Sequence, residues 1–293
     1  MYKRQRLLGG LTTAEIARAY LVPEPTIAQR IVRAKKTLAR ARVPFEVPGP
    51  GERPARLSSV LEVIYLIFNE GYSATAGDDW MRPALCADAL RLSRILASLM
   101  RDEPEVHGLA ALLEIQASRL RARTGPSGEP ILLLDQDRHR WDRLLINRGL
   151  AALARAEQLG GTRGPYALQG AIAACHARAF RPEDTDWERI VGLYAVLTQV
   201  MPSPVIELNR AVAVSMAYGP QAGLDLVDAL SAEPSLQGYH LLPSVRGDLL
   251  MKLGRPDEAR AEFERAAALT RNQRERDLSA ERARGAAAAA AGE

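Results

Sequence analysis

The chain has 293 residues, 47% of them hydrophobic and 5% aromatic, enough for one small and one large core, or two domains by the usual size scaling. Its net charge of +4 conceals an asymmetry: residues 1–44 hold ten Lys or Arg against two Glu, +8, which leaves −4 for the other 249 residues, so affinity for nucleic acid is expected of the N-terminal part alone. Two cysteines far apart in sequence, Cys86 and Cys175, exclude a disulfide framework or a zinc cluster and predict core thiols in a reducing cytosol; without an apolar run near the ~18 residues of a membrane span or a signal-peptide pattern, the protein is expected to be cytoplasmic, with no membrane partner.

Residues 11–42, LTTAEIARAYLVPEPTIAQRIVRAKKTLARAR, predict two helices. Thr12 as N-cap with Glu15 three residues on makes a capping box, which satisfies backbone donors left open at a helix start. Ile16, Ala17, Tyr20 and Leu21 follow on one face, and a turn is expected from Tyr20 to Pro23. Pro23 and Pro25 are tolerated only outside a helix or in its first turn, so the second helix is expected to start near Glu24 and run to about Arg42. Ile27, Ile31, Ala34 and Leu38 recur at the helical period and are predicted to seal against the first helix, while Thr26, Gln29, Arg30, Arg33 and Lys36 fall on the opposite side. A buried seam behind and cations in front are what a helix needs to lie in a duplex major groove.

Four prolines and two glycines in VPFEVPGPGERPARL, residues 43–57, cannot continue a helix, so a semi-rigid connector over 44–56 and a domain boundary are expected there. From Leu57 onward helical periodicity predominates, and an all-α domain is expected over 57–280. Helices are predicted over 57–69, 81–100, 104–123, 141–158, 164–180, 186–200, 204–218, 220–230, 239–253 and 256–269, while ILLLD (131–135) reads as a strand or a buried turn. The late helices pair through short loops bearing Gly and Pro. Leu253-Gly254-Arg255-Pro256 followed by Ala259, Phe263 and Ala266 is similar to the second half of a tetratricopeptide (TPR) unit, in which small residues let paired helices approach and stacked pairs build a groove; a non-repetitive helical bundle is the alternative. The alanine-rich tail, 281–293, is expected to be frayed helix or disorder.

Several polar residues invite a chemical reading. Asp135, Asp137 and His139 in LLLDQDRHRWD are residue types of a metal or acid-base site, but Arg138, Arg140 and Arg143 crowd them, and alternating signs favour a salt-bridged network that fixes a loop. His107, His176 and His240 are isolated at helical positions and read as structural. Asn69 and Glu70, before Gly71, read as helix-end capping residues. Asn209 and Arg210 lie in an otherwise apolar helix, where a carboxylate across a helix interface is the expected partner and the lining of a ligand groove the alternative. No positioned nucleophile or open coordination site accompanies any of these, so no enzyme, cofactor or metal is expected.

The pattern LTTAEIA, a turn ending in VP, then TIAQRIVRAKKTL resembles region four of bacterial RNA polymerase sigma factors of the extracytoplasmic-function type. VIYLIFNEGYSA (63–74), LLLDQDRHRWDR (132–143), ALQGAIAACHARA (167–179), SPVIELNRAVAV (203–214) and GYHLLPSVRGDLLMKLGR (238–255) extend the resemblance to the branch with a TPR-like helical C-terminal extension. It implies an all-α protein: a small helix-turn-helix, winged-helix-like domain over 1–43, then a larger TPR-like or solenoid domain. It also implies a role in transcription initiation, with promoter DNA and the RNA polymerase core, through its β flap, as partners and a regulatory extension that contacts a protein partner or its own chain. By that resemblance Thr26, Gln29 and Arg30 face the groove, and Arg33 and Lys36 contact phosphates. Ala28 stands where the family often has a basic residue, so the resemblance does not fix the exact base preference. Family members also carry an earlier domain that opens the promoter, whereas this sequence starts at MYKRQRLLGG, inside region four. Residues 1–56 offer only Tyr2, Tyr20 and Phe45 as aromatics to trap unstacked bases, so the chain is expected not to melt a promoter. A helical interaction scaffold with a vestigial basic domain is the alternative function.

Overall fold

The computed structural model describes residues 10–41 and 49–292; the sequence features at Tyr2, Arg42, Phe45 and over connector positions 44–48 lie outside them. Among the described residues there are thirteen α-helices and one two-stranded parallel pair, an all-α protein. They fall into two compact units. One comprises the described residues up to Thr75 together with Met81–Leu99, the other Ala76–Trp80 together with the chain from Met100 onward. The units therefore divide after the helix that ends at Leu99, whereas composition draws the boundary at the proline-rich stretch.

The first unit holds α1 (Thr13–Ala19), α2 (Glu24–Ala41), α3 (Arg53–Tyr72) and α4 (Pro83–Leu99), and among its described residues there is no strand. The capping box forms as the sequence dictates: the Glu15 amide donates to Thr12 Oγ1 at 3.2 Å and the Thr12 amide to Glu15 Oε2 at 2.7 Å. The first helix ends when the Leu21 and Val22 amides turn back to Arg18 O and Ala17 O, with Leu21 at a φ of +50°. This is the paired-bond helix stop usually occupied by glycine. The left-handed conformation costs a side-chain-bearing residue about 1 kcal/mol, and closure of the turn offsets it. Leu11, Ile16, Ala17, Ile27, Ile31 and Leu66 form the core here, with Tyr20, Val22 and Tyr65 packed around it.

The expectation for Leu38 does not hold. It is 41% exposed and Ala34 is half-buried. Seven residues of α1 span about 10 Å against about 27 Å for the eighteen of α2, so α1 cannot cover the last turns of its partner.

The second unit contains α5 (Pro104–Ser118), α6 (Arg143–Gln158), α7 (Pro165–Arg178), α8 (Trp187–Val200), α9 (Pro204–Tyr218), α10 (Pro220–Leu230), α11 (Leu241–Lys252), α12 (Pro256–Leu269) and α13 (Gln273–Ala291). Prolines at the first turns of α5, α7, α9, α10 and α12 supply a helical φ where the missing N–H has no partner to lose. Most of the helices pack mainly on their neighbours in sequence, but α7 packs chiefly on α5, which is buried along nearly its whole length beneath α6 and α7. Close approach depends on glycine: a Cβ at Gly247 of α11 would sit 2.6 Å from a Phe263 ring carbon of α12, and one at Gly223 of α10 only 2.4 Å from Ser215 Cβ of α9. Leu168, Ile172, Cys175, Ile190, Leu197 and Ile206 fill the space among α7, α8 and α9.

Two sequence expectations are corrected in this unit. ILLLD is neither strand nor buried turn, since Leu133–Asp135 form a 3-10 turn with Leu132 and Leu134 exposed. The alanine-rich tail is the end of helix α13, in which Glu275, Ser279, Ala283 and Ala286 are buried along one stripe, and Arg282 pairs with Asp248 of α11 while its guanidinium lies 4.6 Å from the Phe263 ring centroid. Asn272 starts that helix. Its Oδ1 accepts from the amides of Arg274 at 3.0 Å and Glu275 at 3.3 Å, while its Nδ2 donates to Asp79 O at 2.8 Å, beside the parallel pairing of Ala76–Gly77 with Arg271–Asn272.

Candidate nucleic-acid interface

Helix α2 carries the sequence-predicted residues on the side its core does not use. At about 100° per residue, Thr26, Gln29, Arg30, Arg33, Lys36 and Arg40 fall within an arc of about 120°, roughly opposite the one holding Ile27 and Ile31. Ile27 and Ile31 are 0% and 5% exposed. Gln29, Arg30, Arg33, Lys36 and Arg40 are all exposed, and Thr26 is half-buried in the first turn. Lys35 is exposed as well, so α2 holds five cations against Glu24 alone. Arg40 belongs to the same arc, which the motif-based reading stopped short of; the helical period was the signal that could have found it.

Polar clamps within the first unit fix the orientation of this pair of helices. From α1, the Arg18 guanidinium donates to Ser73 O and Thr75 Oγ1, each at 3.3 Å, and the Tyr20 hydroxyl donates to Glu62 of α3 at 2.5 Å. Arg82 bridges Glu15 at 2.9 Å and Glu70 at 3.7 Å. Glu70 accepts from the Thr75 amide at 2.9 Å and from its hydroxyl at 2.5 Å, so it ties down the loop after α3 rather than capping that helix, whose last turn closes by the Ser73 amide on Asn69 O. Burial raises the Glu70 carboxyl above its ordinary pKa, partly opposed by the bonds from Thr75.

The residues singled out elsewhere sit in other surroundings. Asp135, Asp137 and His139 do not converge on a cation site, and among the described residues no three His, Cys, Asp or Glu side chains do. The loop is held, though by backbone capping instead of salt bridges. Asp137 accepts from the His139 amide at 2.9 Å, Asp142 from the amides of Leu144 and Leu145, and Arg138, 5% exposed, donates to His176 O, Ala179 O and Thr185 Oγ1. His176 is pushed down to about 3, first by burial and then by Arg119 and Arg138, and its ring meets Trp187 edge-on at 5.1 Å. His107 Nε2 bonds Arg101 O at 2.8 Å, and His240 Nε2 lies 3.0 Å from Glu275 Oε2. Arg210 pairs with Glu207 of its own helix at 2.7 Å, so the expected cross-helix partner is replaced by one a turn away. Cys86 and Cys175 are both buried thiols.

A family of unknown function (DUF6596) matches residues 56–157. An uncharacterized protein of Rhizobium meliloti (strain 1021) is 50% identical over 270 residues, which make up 92% of this chain and 63% of that protein, so the chain spans less than two thirds of that relative's length. No solved structure matches the chain.

Proposed function

We propose that this chain is a sigma-factor-like regulator of transcription initiation, in which α1 and α2 act as a helix-turn-helix and α2 lies in the major groove of an upstream promoter element. The observation that carries the reading is the exposed cationic arc of α2, set opposite a seam that buries Ile27 and Ile31. From Thr26 to Arg40 the arc runs about 21 Å, long enough for its N-terminal turns to meet base edges while its later cations follow the phosphates. In this reading Thr26, Gln29 and Arg30 read bases, Arg33 and Lys36 hold phosphates, the RNA polymerase core is the protein partner, and the TPR-like helices that follow regulate the complex.

The test is duplex binding by fluorescence anisotropy across a salt series. Replacing Arg30 and Arg33 with alanine is expected to abolish measurable binding at moderate salt, with far-UV helicity unchanged. Where residual binding can be followed, the plot of log affinity against log salt should flatten by about 0.9 for each phosphate that the variant no longer neutralises. A double variant that binds like the parent chain refutes the assignment of this face.

A further inference from the structure

Between α5 and α6, the second unit opens into a pocket of about 630 Å³ lined by Arg121, Thr124, His139, Arg140, Trp141 and Asp142. We propose that this pocket binds a small organic molecule through a phosphate or carboxylate group. The volume lies within the usual range for small-molecule sites, but the polar lining departs from their mostly apolar character and points to a charged ligand.

The lining is cationic and its charges are unspent. Arg121 and Arg140 pair with no carboxylate among the described residues, and His139 adds an imidazole. Asp142 is already engaged, since its Oδ1 accepts from the Leu144 and Leu145 amides as the N-cap of α6. Behind the rim, Arg119 and Arg138 lie 5.6 Å and 5.0 Å from the Trp141 ring centroid, so the field across the pocket favours an anion. Trp141 is only 3% exposed, and its Nε1 has no acceptor among the described residues. A buried indole N–H without a partner forfeits a hydrogen bond that proteins nearly always make. An oxyanion held by two guanidinium groups at the pocket mouth would supply that acceptor, and guanidinium geometry matches phosphate and carboxylate alike.

The assay uses the full chain, with titration calorimetry and tryptophan fluorescence at constant chloride. Glucose 6-phosphate and inorganic phosphate probe the phosphate source, citrate the carboxylate source, and glucose controls for the uncharged scaffold. Saturable binding of either anion series, with glucose silent, is the expected result, and the series that binds identifies the source. Changing both Arg121→Gln and Arg140→Gln should weaken that binding by at least about tenfold, since charge-assisted bonds are removed. Both side chains are exposed, so the melting temperature should not move. Trp141→Phe, which keeps the ring and removes the N–H, should weaken binding by a smaller factor. Absence of binding by every anion overturns the proposal, as does equal affinity for glucose or an arginine double variant that binds like the parent. DNA binding by α2 is read separately, and neither result decides the other.

Discussion

Asn272 is expected to be the most sensitive single polar residue of the second unit, and the cost of losing it can be apportioned. Its side chain is wholly buried and performs two tasks, capping α13 through Oδ1 and holding Asp79 O through Nδ2. Loss of an N-cap costs about 1 kcal/mol, and loss of a partly buried amide-to-carbonyl bond about 1 more. With the void left behind, Asn272→Ala should destabilise by about 2–3 kcal/mol, or roughly 4–12 °C in melting temperature for a unit of this size. Asn272→Ser separates the two tasks, because serine keeps a capping oxygen but cannot reach Asp79, so it should lose about half as much. Thermal unfolding followed by circular dichroism gives the totals, and hydrogen exchange at the Arg274 and Glu275 amides reports the cap. An alanine variant melting within a degree of the parent would refute the clamp, and a serine variant as damaged as the alanine one would refute the division of labour.

Gly247→Ala should lower the denaturant midpoint by about 1–3 kcal/mol equivalent, because the new methyl meets the Phe263 ring at 2.6 Å and Arg282 lies against that ring; an unchanged midpoint would mean that the α11–α12 crossing yields. His176 titrates at about 3 in the folded chain, depressed by burial and by Arg119 and Arg138, against about 6.5 when unfolded. The unfolded state therefore takes up the proton first, and stability is kept above pH 6.5 and lost towards pH 3, with a slope of up to about 1.4 kcal/mol per pH unit; His176→Gln should remove that slope from acid-unfolding curves, and an unchanged slope would assign it to other groups. A peptide of residues 1–48 should lack a cooperative thermal transition, whereas residues 1–99 should show one, because the shorter piece forfeits Leu66, Tyr65 and Glu62; cooperative melting of the shorter piece would show that the first two helices are self-sufficient.

Elements were legible in the sequence where punctuation was local. Pro204, Pro220 and Pro256 begin their helices at the positions expected, and Thr12 with Glu15 starts α1. The cationic arc of α2 was legible too, because a helical period projects residues onto faces without reference to the rest of the chain. What escaped depends on partners distant in sequence. Arg138 donates to carbonyls 38 and 41 residues away, which no local pattern announces, so neighbouring charges of opposite sign suggested salt bridges that do not form. The alanine tail has the composition of a disordered segment, yet alanine is the strongest helix former, and burial of Ala283 and Ala286 gives that helix a packed face. Leu38 shows the converse, an apolar position in perfect register with a partner helix too short to reach it.

The brevity of α1 also explains why α3 belongs to the first unit. A seven-residue helix cannot by itself bury the seam of an eighteen-residue one, and nucleated helices of that length are unstable alone. Tyr65 and Leu66 of α3 complete the core under Ile27 and Ile31, while Glu62, Ser73, Thr75 and Arg82 hold the polar side of α1. The direction in which α2 presents Arg30, Arg33 and Lys36 is thus set by residues after the proline-rich stretch. Those same residues open the segment, 56–157, that matches the family of unknown function. That match therefore begins within the scaffold of the basic helix, and substitutions at Glu62 or Leu66 should reach the cationic face without touching a single cation.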